Sequence, residues 1–217
     1  MRSPTSYLRP HTSIQKKEKK MNLPNKLTIL RILLVPIMVI IPYLNIQGNL
    51  LQIPISFLIM DLIFIIASIT DKLDGSIARK RNLITTFGKF LDPIADKILV
   101  LAALIILVEQ GKLPGWIPII VLFREFVVSG YRLVAVGNGG QVIAASIWGK
   151  LKTVTQMIAI ILAFIDIGVF FEFTKGTLTG WHLIINALTS IIMLVSVIAT
   201  IFSGIDYVKD GKDLLKQ

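Results

Sequence analysis

Four aspartates, Asp71, Asp74, Asp92 and Asp96, fall within a short stretch of an apolar chain, with Gly75, Ala78, Arg79 and Gly88 between them. A charged side chain in hydrocarbon costs about 2.5–3.5 kcal/mol on insertion scales, so four carboxylates gathered at one membrane edge imply a bound cation and a chemical task. On a helix Asp71 and Asp74 share a face, with about 4.5 Å of rise between them. Ala78 continues that stripe, and Gly75 and Ala78 leave room for a flat group. Asp92 and Asp96, four apart, sit on a helix that returns after a short turn at 80–87, so the two pairs face one small volume. Pro93 is tolerated in a first helical turn and places Asp92 near a helix start, where local potential favours anions. Oxygen ligands of this kind select Mg²⁺ or Mn²⁺, and two such ions would neutralise a diphosphate. The competing reading pairs the same acids with Lys72, Arg79, Lys89 and Lys97 as snorkelling surface charges; the paired helical spacings and the small residues between them weigh against it.

The elements that must position these acids are helices in a membrane. The chain has 217 residues, 54% hydrophobic and 17% charged, and a mean hydropathy of +0.75, too apolar for a soluble domain of this size. Six stretches are long enough to span a bilayer, at about 27–45, 51–79, 87–109, 116–136, 150–171 and 181–203. The predicted fold class is therefore an all-α integral membrane protein of six transmembrane helices, with its active site at the cytoplasmic membrane edge. With both termini cytoplasmic, the cytoplasmic connections and helix ends hold every Lys and Arg except Lys112 and Lys175, 21 of the 23. The net charge of +10 then points to anionic membrane lipids and phosphorylated substrates, and no basic and aromatic surface module speaks for nucleic acid. The absence of cysteine excludes disulfides, thiolate catalysis and zinc-thiolate sites.

Residues 1–20 are polar, carry Lys16, Lys17, Lys19 and Lys20, and lack the apolar core of a signal peptide. They are expected to form a disordered N-terminal extension, with Met21 a candidate start, ahead of one membrane domain over 21–217.

The run Asp71-Lys-Leu-Asp74-Gly75-Ser-Ile-Ala78-Arg79, eight residues, then Gly88-Lys-Phe-Leu-Asp92-Pro-Ile-Ala-Asp96 resembles the signature of the CDP-alcohol phosphotransferase family at all eight defined positions. The resemblance implies a six-helix, commonly dimeric bacterial cytoplasmic-membrane enzyme that transfers a phosphatidyl or related group from a CDP-linked donor to an alcohol and releases CMP. By position, Asp71, Asp74 and Asp92 look like metal ligands, and Asp96 like the general base that also touches a second ion. Gly75, Ala78 and Arg79 resemble CDP-binding positions. A weaker upstream pattern, Asn25, Thr28 and Arg31, lies on one face at the entry to the first span and resembles the family's donor-site residues; read alone, it is a helix cap with a snorkelling arginine.

The acceptor is sought in the fourth and fifth spans. Arg124 and Arg132 are two turns apart on one helical face and, with Lys150 or Lys152, would form an anion pocket, since guanidinium forks match phosphate oxygens. The bland alternative pairs Arg124 with Glu125; helix neighbours point about 100° apart, so the pocket is preferred. The stretches Arg124-Glu125-Phe126, Gly130-Tyr131-Arg132 and Gly149-Lys150-Leu151-Lys152-Thr153 resemble the branch of the family that makes phosphatidylglycerophosphate from CDP-diacylglycerol and sn-glycerol 3-phosphate, and Lys150 is the lysine favoured by that match. Alternatives are a family member using inositol phosphate, serine or a lipid as acceptor, a Mg²⁺-dependent membrane prenyltransferase, whose aspartate motifs are normally duplicated, and a cation transporter, whose acids would lie at the bilayer midplane.

Asp61 departs from this pattern, ten residues deeper than Asp71 on the same helix, and is expected to bond to a polar group such as Thr155 or Gln156 or to face a dimer contact. Asp166 and Glu172 are expected at the outer surface, and His182 beside Trp181 as an interfacial residue.

Overall fold

A computed structural model describes residues 23–80, 86–137 and 146–210, with the backbone alone described at 23–26, 71–80, 86–93, 96, 135–137 and 210. Six α-helices occur among the described residues: α1 (Leu23–Ile40), α2 (Ile55–Lys80), α3 (Thr86–Glu109), α4 (Trp116–Gly137), α5 (Ile147–Ile165) and α6 (Gly180–Asp210). Three helical segments are long and apolar enough to cross a membrane, Leu27–Leu44, Ile147–Ile165 and Gly180–Lys209, while Ile55–Thr70 is a shorter apolar stretch. The chain is thus a multi-pass, almost wholly helical membrane protein.

Each helix is apolar on nearly every side because its outer face meets lipid as its inner face meets neighbours. Leu33, Ile37, Ile119, Phe123 and Ile184 are exposed large side chains of that outer surface. The inner surfaces use small and polar residues where helices approach closely. On α6, Asn186, Ser190, Ser196, Thr200 and Ser203 are all fully buried, the small-residue packing that brings membrane helices together. Phe164 of α5 packs against Phe57 and Phe64 of α2, with ring centroids 6.3 and 6.5 Å apart.

Predicted spans three and four agree with α3 and α4 to within a residue, and the others shift for local reasons. Residues 51–54 are not helical: Asn49–Leu50 pairs antiparallel with Ile53–Pro54, and Leu51 and Gln52 take φ of 53° and 68°, the two positive values that a tight hairpin turn requires. Among the described residues this small ribbon is also the one departure from an all-helical fold. The fifth helix stops at Ile165 instead of 171 because the following chain turns at Asp166, whose carboxylate accepts from Gly168 N at 2.9 Å. The sixth runs to Asp210, past the expected end at 203.

Asp166 is not a surface residue as expected. It is buried, its second oxygen accepts from Asn186 Nδ2 at 2.8 Å, and its carbonyl accepts from Lys112 Nζ. Lys112 also donates to Ala163 O at 3.3 Å and lies 4.2 Å from the centre of the Phe57 ring. This cluster ties the α3–α4 connection to the ends of α5 and α6. A Cβ on Gly168 would stand 2.7 Å from Asn186 Nδ2, so only glycine leaves space for it. Asp61 is buried on α2, and its Oδ1 has no hydrogen-bond partner among the described residues. The expected partners do not meet it: Thr155 donates back to Leu151 O at 2.8 Å, and Gln156 Nε2 likewise has no partner among the described residues.

Candidate active site

The last turns of α2 and the first turns of α3 carry the acidic motif, and residues 81–85 connect them. Asp71, Asp74, Gly75, Ala78 and Arg79 fall on α2, and Asp92 and Asp96 on α3, with the helical spacing expected of them; α3 already begins at Thr86, so Asp92 and Pro93 lie inside the helix and not at its start as Pro93 suggested. Their side chains lie outside the described residues, as does that of Asn25. Thr28 and Arg31 are described, and both are buried in α1, which packs against α2 and α3. A donor set of carboxylates alone suits a hard divalent cation. Among the described residues no group of three His, Asp or Glu forms another such site.

Beside the motif lies a polar cavity of about 200 Å³ between α3, α4 and α5. Among the described residues, Lys97, Arg124, Arg132 and Lys152 line it as cations and Glu125 as the one carboxylate, with Thr153 and Gln156 also on the polar wall. Lys97 follows Asp96 directly, so the cavity begins one residue from the acidic motif. The structure therefore brings Arg124 and Arg132 together on one face, as their spacing of eight predicts. Lys152 is the buried lysine of the pair on α5; Lys150 is exposed and does not line the cavity.

The preference against an Arg124–Glu125 pair is corrected. Arg124 Nη1 stands 2.8 Å from Glu125 Oε1. Backbone directions diverge by about 100°, but two long side chains can curl toward each other across that angle. The pair does not exclude the pocket, because it lies in the cavity wall. Glu125 also accepts from Lys152 and stands 3.6 Å from Lys97. Lys97 donates to Ser129 on the next turn of α4. One carboxylate thus holds cations from three helices in place while the set keeps a net positive charge.

A second set of contacts, which sequence spacing did not reveal, comes from the far end of α6. Arg124 Nη2 donates to Ser203 Oγ at 2.6 Å, and Arg132 Nη2 donates to the Tyr207 hydroxyl at 2.7 Å. Gly149 of α5 and Gly204 of α6 both lie against Arg124, where a Cβ at either would be in ordinary van der Waals contact with that side chain or its Ser203 partner at 3.4–3.6 Å. Arg124 also borders an apolar groove of about 700 Å³ between α4 and α6, lined by Ile119, Phe123, Ile201 and Ile205 and reaching Lys209. One arginine therefore faces both a polar cavity and a lipid-sized apolar surface.

Residues 21–202 match the family described as CDP-alcohol phosphatidyltransferase. The chain is 51% identical over 144 residues to the CDP-diacylglycerol–glycerol-3-phosphate 3-phosphatidyltransferase of Bacillus subtilis, covering 64% of this chain and 74% of that protein. It is 38% identical over 201 residues to the enzyme of the same name from Haemophilus influenzae, covering 90% of this chain and 96% of the relative. A probable phosphatidylglycerophosphate synthase of Mycobacterium tuberculosis is 36% identical over 187 residues, 86% of this chain and 80% of its own length. With the acidic motif on two adjoining helix ends and a match over nearly the whole helical core, the chain belongs to the CDP-alcohol phosphatidyltransferase family.

Proposed function

We propose that the protein transfers the phosphatidyl group of CDP-diacylglycerol to sn-glycerol 3-phosphate, giving phosphatidylglycerophosphate and CMP. The observation that carries this reading is the convergence of Arg124, Arg132, Lys97 and Lys152 on one cavity that begins beside Asp96. Among the described residues, four cations against the single carboxylate of Glu125 leave a site suited to a phosphate monoester, and poorly suited to a neutral polyol or a zwitterionic amino acid. The names of the similar enzymes specify the same donor and acceptor.

In this reading Asp71, Asp74, Asp92 and Asp96 hold divalent cations, Mg²⁺ or Mn²⁺, two in number. Ions held by these carboxylates would supply positive charge for the diphosphate oxygens and for the departing CMP phosphate. The chain's own groups do the rest. Gly75 and Ala78 admit the nucleotide, with Arg79, Asn25, Thr28 and Arg31 toward its phosphates and ribose. The basic cavity fixes the acceptor phosphate, so that the acceptor hydroxyl at the other end reaches the donor, converting an encounter into an aligned attack. Asp96 takes the hydroxyl proton as the new phosphoester bond forms and the diphosphate bond to CMP breaks. The apolar groove beside Arg124 gives an acyl chain a path along α4 and α6. Six spans and a homodimer, as the family resemblance implies, and cytoplasmic termini with a cytoplasmic active site, supported by the distribution of Lys and Arg along the chain, complete the proposal.

The test is CMP release by the purified protein in detergent with CDP-diacylglycerol and Mg²⁺ or Mn²⁺, comparing glycerol 3-phosphate with glycerol, serine, inositol and inositol phosphate. Release that requires glycerol 3-phosphate is expected. Release with another acceptor would keep the family chemistry and remove the assignment of the acceptor.

A further inference from the structure

Tyr207 stands out among the residues that sequence spacing did not mark. It lies on the final turns of α6, beyond the stretch expected to span the membrane, where a tyrosine ordinarily places its hydroxyl in water. Here it is buried, with 1% of its surface exposed. Its hydroxyl accepts from Arg132 at 2.7 Å, and its ring lies 5.5 Å from the guanidinium carbon of Arg132 and 5.7 Å from that of Arg124. Two cations on separate turns of α4 thus share one ring on α6.

We propose that Tyr207 is a positioning residue for the acceptor phosphate, holding Arg124 and Arg132 in a shared orientation toward the basic cavity; the proposal rests on the reading of that cavity as the phosphate site. Three features support it. The negative face of an aromatic ring attracts guanidinium groups and offsets part of their mutual repulsion. The ring and hydroxyl carry no formal charge, so they orient the arginines without competing with a phosphate for them, as a carboxylate at 207 would. Each arginine also keeps donors to spare: a guanidinium has five N–H groups, and the α6 anchors, Ser203 for Arg124 and Tyr207 for Arg132, take one from each. Long side chains fixed before binding lose less rotamer freedom when the ligand arrives.

The experiment compares Tyr207→Phe, which keeps the ring, with Tyr207→Leu, which removes ring and hydroxyl. Steady-state kinetics and the concentration of inorganic phosphate that half-saturates thermal stabilisation are read for each. Tyr207→Leu is expected to raise KM for glycerol 3-phosphate about tenfold, equivalent to about 1.4 kcal/mol. KM for CDP-diacylglycerol and kcat at saturating acceptor should stay within about twofold, and Tyr207→Phe should fall between the two proteins. In a cycle with Arg132→Ala the two losses should be less than additive. If Tyr207→Leu does not fold, Tyr207→Phe and its cycle with Arg132→Ala decide the matter. Unchanged acceptor KM in the folded variants, an equal rise for both substrates, or full additivity overturns the proposal. Phosphate binding is read without turnover, so it separates the two ideas. A protein whose phosphate binding weakens in Tyr207→Leu but which turns over another acceptor leaves the positioning role standing while the function assignment fails, and a wild type that binds neither phosphate nor glycerol 3-phosphate overturns both.

Discussion

Glu125 of α4 is ion-paired with Lys152 of α5, and both side chains are largely withdrawn from solvent, with 14% and 9% exposed. The contact links two helices at the wall of the basic cavity and gives Lys152 its carboxylate partner there. Removing one member of a buried pair leaves the other uncompensated, at about 3–5 kcal/mol where burial is complete and less here.

Glu125→Gln is therefore expected to lower the thermal midpoint in detergent, and to be rescued by phosphate more strongly than the wild type. The substitution strips the counter-charge shared by Lys97, Arg124 and Lys152, so an added anion has more repulsion to relieve. Thermal melts with and without phosphate measure this. Equal phosphate shifts in the two proteins would separate Glu125 from the anion site.

Arg132→Ala should raise KM for glycerol 3-phosphate by tenfold or more while KM for CDP-diacylglycerol changes little, since a hydrogen bond to a charged group is worth about 1.5–3 kcal/mol. Arg132→Lys should recover only part of the loss, because an ammonium restores the charge without the planar fork. Initial rates over both substrate concentrations settle it: an unchanged acceptor dependence would sink the phosphate pocket.

These contacts also mark what could be read from the chain. The acidic motif and the helices that carry it were legible because their signals are local: residues three or four apart must share a helix face. The pairing of Arg124 and Arg132 followed from the same rule. Lys152 over Lys150 could not follow from it, since what selects Lys152 is Glu125 on another helix. Tyr207 and Ser203 were invisible for the same reason, being 75 and 79 residues from the arginines they anchor. Asp166 misled because a polar residue at a span end looks solvated until Asn186 and Lys112 arrive from other elements.

Asp96→Asn should retain binding of CDP-diacylglycerol and lose transfer by about 10²–10⁴-fold, the usual contribution of a general base. The amide keeps the shape of the side chain but cannot accept the acceptor's proton. Binding is measured by protection against thermal unfolding and turnover by CMP release. Turnover like the wild type would remove Asp96 as the base.

The end of the bundle opposite the motif should show its own pH dependence. Burial among Phe57 and the α5 terminus pushes Lys112 down to about 8, against an ordinary 10.5, with the Asp166 carboxylate pulling the other way. Between those two values the unfolded chain binds more protons at this site than the folded one, so the contribution of Lys112 to stability rises with pH across that window. Below about pH 8 the folded protein carries the buried charge, and its cost is felt in full. Lys112→Met removes the titrating group together with its bonds to Asp166 O and Ala163 O, which the neutral amine can still make. The stability difference between wild type and Lys112→Met should therefore shift in favour of the wild type from pH 7.5 to pH 10. Thermal midpoints of the two proteins across that range test the point, and a constant difference would mean that Lys112 titrates as an ordinary surface lysine.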